Sequence, residues 1–327
     1  MSKKTRYFVI TAAAILAVGL TTGLVASYMG FPVAFSRAAG PDELQYVPAD
    51  AAVVAYANVR EIMDSQFRES FRQFEPDTRE RDEFEAKTGV NIDHDINSVV
   101  AVLTTGATQA TSPHNGMLIL ARGRFEQSRL EALALEHGGH VEDYNGKRLL
   151  LHRHEAGHSE MAIGFLEADL IALGGYEAIK QSIDANGGRN IVSTNADLMR
   201  QIGELDASNA WAVGRFDAIA DSAHVPSEIQ AHLPAIQWFS AATHINGGVS
   251  GVFKAEARDE ESAKNMRDVL NGFLALARMQ SSAQPELKTM VDSLQLSGDG
   301  KNVAVSFTLP SELFDALAQL KKLEQPR

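Results

Sequence analysis

Thirty consecutive residues near the start of the chain, from Tyr7 to Ser36, carry no charged side chain, and Arg6 and Arg37 bound them. The most apolar part, from Phe8 to Met29, is about 22 residues long, which as a helix spans ~33 Å, enough to cross the hydrocarbon core of a bilayer. This stretch therefore determines the cellular compartment of the residues that follow Gly40.

Basic residues precede the apolar stretch at Lys3, Lys4 and Arg6. Because basic residues concentrate on the cytoplasmic side of membrane helices, we predict a single-pass anchor in a bacterial inner membrane, with the N-terminus in the cytoplasm and the body outside it. The predicted segments are a cytoplasmic tail over 1–6, a transmembrane anchor over 7–36, a short tether over 37–46, and two halves over 47–192 and 193–327.

A cleaved signal peptide is the alternative interpretation of this N-terminus. A basic start and an apolar core are common to both, but signal-peptide cores run about 7–15 residues and this one is longer. A small-residue cleavage site around Ser36 to Ala38 would include Arg37, whose long charged side chain does not suit such a site. Within the anchor, Gly19 and Gly23 have the spacing of a helix-pairing motif, which makes a homodimer through them possible.

The charge of the chain excludes some classes of partner. The net charge is −12, from 30 basic and 42 acidic residues, and residues 1–37 hold four of the basic residues and none of the acidic ones. The rest therefore carries 26 basic against 42 acidic residues, a net charge of −16. Such a body is unsuited to nucleic acid or to anionic lipid headgroups. The absence of cysteine excludes disulfides, thiol catalysis and iron–sulfur clusters.

Apolar periodicities predict alternating strands and helices along residues 47–327. Asn145-Gly146 is typical of a tight hairpin turn, and Asp259 is suited to cap a long helix over 260–279. Because the strands are joined by hairpins rather than by regular strand–helix–strand crossovers, the predicted fold class is α+β. We expect two mostly antiparallel sheets, each with helices packed on one face.

Three local matches indicate that the two halves are an internal duplication, as one unit used twice. The pairs are Ala55-Tyr-Ala-x-x-Arg60 with Ala210-Trp-Ala-x-x-Arg215, Ala121-x-x-Arg124-x-Glu126-x-Ser128 with Ala255-x-x-Arg258-x-Glu260-x-Ser262, and Asn145-Gly-Lys147 with Asp299-Gly-Lys301. The offsets are 155, 134 and 154 residues, so the repeat requires an extra helix in each half.

The opening of the body, Val47-Pro-Ala-Asp-Ala-Ala-Val-Val-Ala-Tyr-Ala57, resembles the lead strand of uncharacterised bacterial proteins of the DUF3352 type. The run from Ala168 to Lys180 is similar to a strand-then-helix segment of the same group. The resemblance covers roughly residues 45–320. It implies a membrane-anchored or exported, duplicated α+β body and carries over no catalytic residue.

The segment His154-Glu155-Ala-Gly-His158 spells the H-E-x-x-H pattern of zinc proteases. In those enzymes the pattern lies on a helix, where both imidazoles bind one zinc ion and the glutamate activates water. Here it follows a predicted hairpin strand, and in an extended chain the two histidines would stand ~13 Å apart. A polar loop between strands is therefore the expected structure.

Metal binding without catalysis is the remaining use for these histidines. His152 and His154 would share one face of a strand, ~6.5 Å apart, with His158 folding over, and Glu177 is a possible further ligand. No cofactor is predicted. The segment from Asp93 to Asn97 begins like a calcium loop but lacks the glycine at the sixth position and the glutamate at the twelfth.

The sequence predicts a non-enzymatic, membrane-anchored extracytoplasmic protein that binds another protein or supports an envelope assembly. Two alternatives stay open. One is a ligand-binding module that uses a cleft between the halves, and the other is a zinc metallohydrolase that uses His154, Glu155 and His158.

Overall fold

The computed structural model describes residues 41–65, 79–105, 116–152, 161–188, 190–205, 208–218, 236–245, 248–281 and 285–310. The predicted anchor over 7–36 and the H-E-x-x-H segment lie outside these residues. Contacts within the chain divide it into two compact units. We call the described residues of 41–63 and 79–214 the N-terminal unit, and those of 215–310 the C-terminal unit.

An antiparallel sheet forms the centre of the N-terminal unit. Its strand order is β8-β1-β2-β3-β7-β6-β5-β4, and each neighbouring pair is antiparallel. The strands are β1 (Ala51–Ala57), β2 (Ile96–Thr104), β3 (Met117–Gly123), β4 (His140–Tyr144), β5 (Lys147–His152), β6 (Met161–Glu167), β7 (Leu170–Gly175) and β8 (Ala210–Arg215). The helices are α1 (Val59–Met63), α2 (Arg79–Thr88), α3 (Ile92–Asp95), α4 (Gln127–Glu136), α5 (Tyr176–Asn186) and α6 (Ala196–Gly203).

The predicted hairpin between β4 and β5 is confirmed. Asn145 and Gly146 have φ values of 49° and 76°, and Tyr144 lies opposite Lys147. Positive φ at both central residues is the geometry of a type I′ turn, whose twist matches that of the flanking strands.

Both faces of this sheet carry helices. On one face, the core joins Val99 of β2 and Phe165 of β6 to Leu130 of α4. On the other, the pleat directs Gly164 towards Ile179 of α5, so closely that an added Cβ would lie 2.9 Å from the isoleucine methyl. The prediction of helices on one face is therefore wrong for this unit. The apolar, nearly continuous strands needed burial on both sides.

The C-terminal unit has the strand order β11-β12-β10-β9, again with antiparallel neighbours. Its elements are β9 (Ile236–Ile245), β10 (Gly248–Ala257), α7 (Glu260–Ser281), α8 (Pro285–Ser293), β11 (Gln295–Ser297) and β12 (Asn302–Pro310). Asp259 Oδ1 accepts the Ser262 N–H at 2.7 Å, which confirms the predicted N-cap of α7. Ala263 of α7 packs against Ala257 and Val303.

The folded body begins earlier than the sequence indicated. A 3₁₀ helix, Asp42–Tyr46, precedes β1, and the side chains of Leu44 and Tyr46 are buried. The tether predicted over 37–46 therefore ends too late, because these residues already contribute to the core. The sequence showed only a short polar lead here and did not reveal that its two apolar side chains are buried.

Candidate functional site

Arg122, at the end of β3, binds three carboxylates. Its Nε donates to Glu43 at 2.8 Å, and its Nη1 donates to Glu167 at 2.9 Å and to Asp169 at 2.8 Å. Ser98 Oγ also donates to Glu43 at 2.8 Å, and the Tyr46 hydroxyl donates to Glu167 at 3.0 Å. We call these six residues the Arg122 cluster.

Four parts of the chain bring the Arg122 cluster together. Arg122 pairs with Ser98 of β2 on one side and with Leu170 of β7 on the other. Glu167 ends β6 and Asp169 lies in the turn to β7, so the β6–β7 turn presents both carboxylates to the arginine. Glu43 comes from the 3₁₀ helix, 79 residues away in the sequence. The cluster thus joins the beginning of the body to the centre of the sheet.

Burial differs strongly among the carboxylates. The side chain of Glu43 is 4% exposed, that of Arg122 is 20% exposed, and that of Asp169 is 53% exposed. Burial alone would lower the pKa of Arg122, but the hydrogen bonds to Glu43, Glu167 and Asp169 outweigh it and raise that pKa. The guanidinium is therefore a permanent cation that compensates a buried anion.

The phenol of Tyr46 is also perturbed. Burial, followed by the hydrogen bond to Glu167, raises the pKa of Tyr46 to about 12. It is therefore a neutral hydrogen-bond donor at physiological pH. Because the donors of Arg122 are directed at carboxylates from separate segments, the arrangement holds parts of the chain together.

Backbone contacts extend this attachment beyond the Arg122 cluster. Ser182 Oγ of α5 donates to the Tyr46 carbonyl at 2.7 Å, and the Val192 N–H donates to the Val47 carbonyl at 2.8 Å. Asn195 Nδ2 donates to the Ala49 carbonyl at 3.0 Å. The first residues of the body are therefore bound both to the sheet and to the segment that follows α5.

The predicted metal-binding histidines fall at the connection between β5 and β6. His152 ends β5 and lies opposite Met161, the first residue of β6. His154, Glu155 and His158 are among residues 153–160, which join these two antiparallel neighbours and lie outside the described residues. Within the described ranges, no group of three or more His, Asp or Glu side chains is placed to hold a metal ion.

Two other sequence candidates have structural partners. Asp95 accepts the Asn91 N–H at 2.8 Å and the Arg124 guanidinium at 2.6 Å, so the segment considered as a calcium loop is a capped turn of helix. Glu177 is an exposed partner of Lys180, whose ammonium lies over the rings of Tyr144 and Tyr176. Both groups serve local packing.

Sequence reasoning missed the Arg122 cluster. The available signal was a single arginine at the end of the apolar strand Met117–Gly123, where an unpaired charge would be costly. Its partners could not be identified from the sequence, because they lie 45, 47 and 79 residues away.

None of the described helices is long and apolar enough to cross a membrane. The predicted anchor over 7–36 lies outside the described residues.

Comparison with known proteins gives little guidance. No protein-family model matches the chain, and no curated protein matches it. Among solved structures, the chain is similar to one titled "Structure of crystal form I of TP0453", with a TM-score of 0.47 and 11% identity over 88% of this chain and 99% of that chain. The resemblance to the DUF3352 type stays a prediction.

Proposed function

We propose that this protein is a non-enzymatic, single-pass protein of a bacterial inner membrane whose extracytoplasmic body binds a protein partner or supports an envelope assembly. The observation that carries this proposal is the fixed start of the body. The 3₁₀ helix Asp42–Tyr46 follows closely after the apolar stretch and is bound to the sheet through Glu43 and Arg122.

The short length of the tether supports a body that is held close to the membrane. Residues 37–41 separate Ser36 from the 3₁₀ helix, and five extended residues reach at most ~18 Å. Because the body carries a net charge of −16, it is repelled by anionic headgroups and attracted to basic surfaces. Because the tether is short and the 3₁₀ helix that follows it is bound to the sheet, such a body is restricted to partners in or near the membrane.

We also propose that the body arose by duplication of one α+β unit. Two strand-to-helix connections, from β3 to α4 and from β10 to α7, support the proposed duplication. β3 ends at Gly123, one residue before Arg124, and β10 ends at Ala257, one residue before Arg258. A helix begins soon after each arginine, α4 at Gln127 and α7 at Glu260. The two strands that precede each helix form an antiparallel pair.

The membrane topology can be tested by labelling single cysteines, because the natural chain has none. We would introduce Ser2→Cys in the predicted cytoplasmic tail and Ser193→Cys at an exposed position of the body. In intact spheroplasts, an impermeant maleimide should label Ser193→Cys at once and Ser2→Cys only after lysis. Equal labelling of both, or recovery of the protein in the soluble fraction after a high-salt wash, would refute the proposal.

Metal analysis separates this proposal from a zinc hydrolase. We expect the purified full chain to contain no stoichiometric zinc and His154→Ala to change nothing. His140→Ala is the matched control, because His140 is an exposed histidine on the edge strand β4. Stoichiometric zinc that is lost in His154→Ala but kept in His140→Ala would overturn the non-enzymatic assignment.

A further inference from the structure

The chain contains five Asn-Gly pairs, and they lie in different surroundings. The pairs begin at Asn115, Asn145, Asn186, Asn246 and Asn271, of which Asn115 and Asn246 lie outside the described residues. An asparagine followed by glycine is chemically labile, because glycine has no side chain to hinder attack of its backbone nitrogen on the asparagine amide carbon. Each pair is therefore a candidate site of spontaneous deamidation.

Exposure does not distinguish the three pairs that the structure describes. Both residues of each pair are exposed, Asn145-Gly146 in the β4–β5 turn, Asn186-Gly187 at the end of α5 and Asn271-Gly272 within α7. The hydrogen bonds of the glycine nitrogens do distinguish them. Because this nitrogen is the nucleophile in deamidation, a glycine N–H that already donates to a carbonyl must first lose that bond.

The nitrogen of Gly146 is available for attack. In a type I′ turn the hydrogen bond joins the two flanking residues, and within the described ranges the Gly146 N–H has no acceptor. By contrast, the Gly187 N–H donates to the Asp184 carbonyl at 3.1 Å. Gly272 lies inside α7, where each backbone N–H donates to the carbonyl four residues earlier.

We propose that Asn145 is a deamidation site, at which the folded chain converts an asparagine to aspartate and isoaspartate. The Gly146 nitrogen gives its proton to hydroxide and attacks Cγ of Asn145, so that a carbon–nitrogen bond forms. The bond from Cγ to Nδ2 breaks, and the amide leaves as ammonia with a proton from water. A second water molecule then opens the succinimide ring at either of its carbonyls.

The reaction removes a contact that holds the β4–β5 turn to α5. Asn145 Nδ2 donates to Asp184 Oδ1 at 2.8 Å, and the Tyr144 hydroxyl donates to Asp184 Oδ2 at 3.0 Å. After deamidation the Nδ2 donor is replaced by a carboxylate oxygen, and two anions face each other. Because like charges repel at this separation, the turn loses one of its two side-chain contacts with Asp184.

The position of β4 determines what this loss changes. β4 is the terminal strand of the N-terminal sheet, and among the described strands it pairs with β5 alone. Isoaspartate also adds a methylene group to the main chain of a two-residue turn that fixes the register of both strands. We expect the end of the hairpin to separate from α5 and β4 to fray, while the other strand pairs are kept.

The site is tested by incubating the purified full chain in mild detergent and heavy-oxygen water at mildly alkaline pH. Ring opening incorporates heavy oxygen, so peptide mass spectrometry separates this product from deamidation during digestion. Asn145 should convert at least ~10-fold faster than Asn186 and Asn271, the factor that breaking one hydrogen bond imposes. The three sites should convert at similar rates in urea.

Two results would overturn the proposed site. One is conversion of Asn186 or Asn271 in the folded chain at a rate equal to or above that of Asn145. The other is a tenfold preference for Asn145 that persists in urea, because the local sequence rather than the fold would then be its cause.

Exchange of the two side chains tests the consequence of the reaction. Asn145→Asp reproduces the aspartate product and should raise the hydrogen-exchange rates of the β4 amides by about tenfold. Asn145→Gly also accepts positive φ but adds no charge, so its effect should be smaller. Combining Asn145→Asp with Asp184→Asn reverses donor and acceptor and should restore slow exchange. Unchanged exchange in Asn145→Asp, or no recovery in the double variant with native circular dichroism, would refute this consequence.

Discussion

The replacement Arg122→Met should strongly destabilise the N-terminal unit, because it leaves Glu43 without its cation. The side chain of Glu43 is 4% exposed, and after the replacement its carboxylate would retain only the hydroxyl of Ser98 among the hydrogen bonds described above. Removing one partner of a buried ion pair typically costs ~3–5 kcal/mol, since the remaining charge stays desolvated. Methionine fills much of the space of the arginine stem, so the loss should reflect charge more than packing.

Arg124→Met is the matched control. Arg124 also pairs with a carboxylate, Asp95, but its side chain is 77% exposed. Exposed pairs contribute only ~0–1 kcal/mol because water screens them. The two substitutions are chemically identical and two residues apart, so the difference between them measures burial.

The assay is urea unfolding of the full chain in mild detergent, followed by the fluorescence of Trp211 in β8. Trp238→Phe removes the other tryptophan, which lies in the C-terminal unit. At a urea slope of ~2–3 kcal/mol/M, the expected loss lowers the midpoint by about 1–2.5 M.

A second substitution decides whether charge is the cause. Adding Glu43→Gln to Arg122→Met should recover part of the loss, because the uncompensated anion is gone. A midpoint for Arg122→Met equal to that of Arg124→Met would refute this account of the Arg122 cluster. A double variant that is less stable to urea than Arg122→Met would show that packing, not charge, dominates the loss.

Three further predictions follow from local geometry. Tyr46 should ionise near pH 12 rather than 10, so its stabilising contribution is complete below pH 10 and lost as pH rises through 12; alkaline tyrosinate absorbance of wild type minus Tyr46→Phe measures this. Gly174→Ala should cost more than ~2 kcal/mol in thermal unfolding, since its φ is 151° and the new Cβ would lie 2.1 Å from a carbonyl, whereas Gly203→Ala meets no neighbour and should be tolerated. Asp259→Ala should fray the start of α7. Hydrogen bonds from the Ser262 hydroxyl and N–H lower the pKa of Asp259, so acid should also fray the helix as the pH falls below the ordinary aspartate value of 3.8. Far-ultraviolet circular dichroism measures the loss of helix in each case.

Local features of this fold could be predicted from the sequence because their causes lie within a few residues. The turn at Asn145-Gly146 depends on two residues that accept positive φ. The start of α7 depends on a carboxylate and an N–H three positions later. The same holds for the end of α2, where Gly89 has a φ of 75°.

The tertiary structure alone decided how these pieces combine. β7 rather than β4 lies beside β3, so the β6–β7 turn brings Glu167 to Arg122. Helices cover both faces of the N-terminal sheet. An amphipathic pattern predicts that one face of an element is buried, but it does not predict which other element covers that face. The three carboxylate partners of Arg122 come from a 3₁₀ helix, the end of β6 and the β6–β7 turn, which are far apart in the sequence and meet only in the folded chain. The sequence by itself therefore determined the elements and the charge of this protein, and long-range packing decided which charges meet.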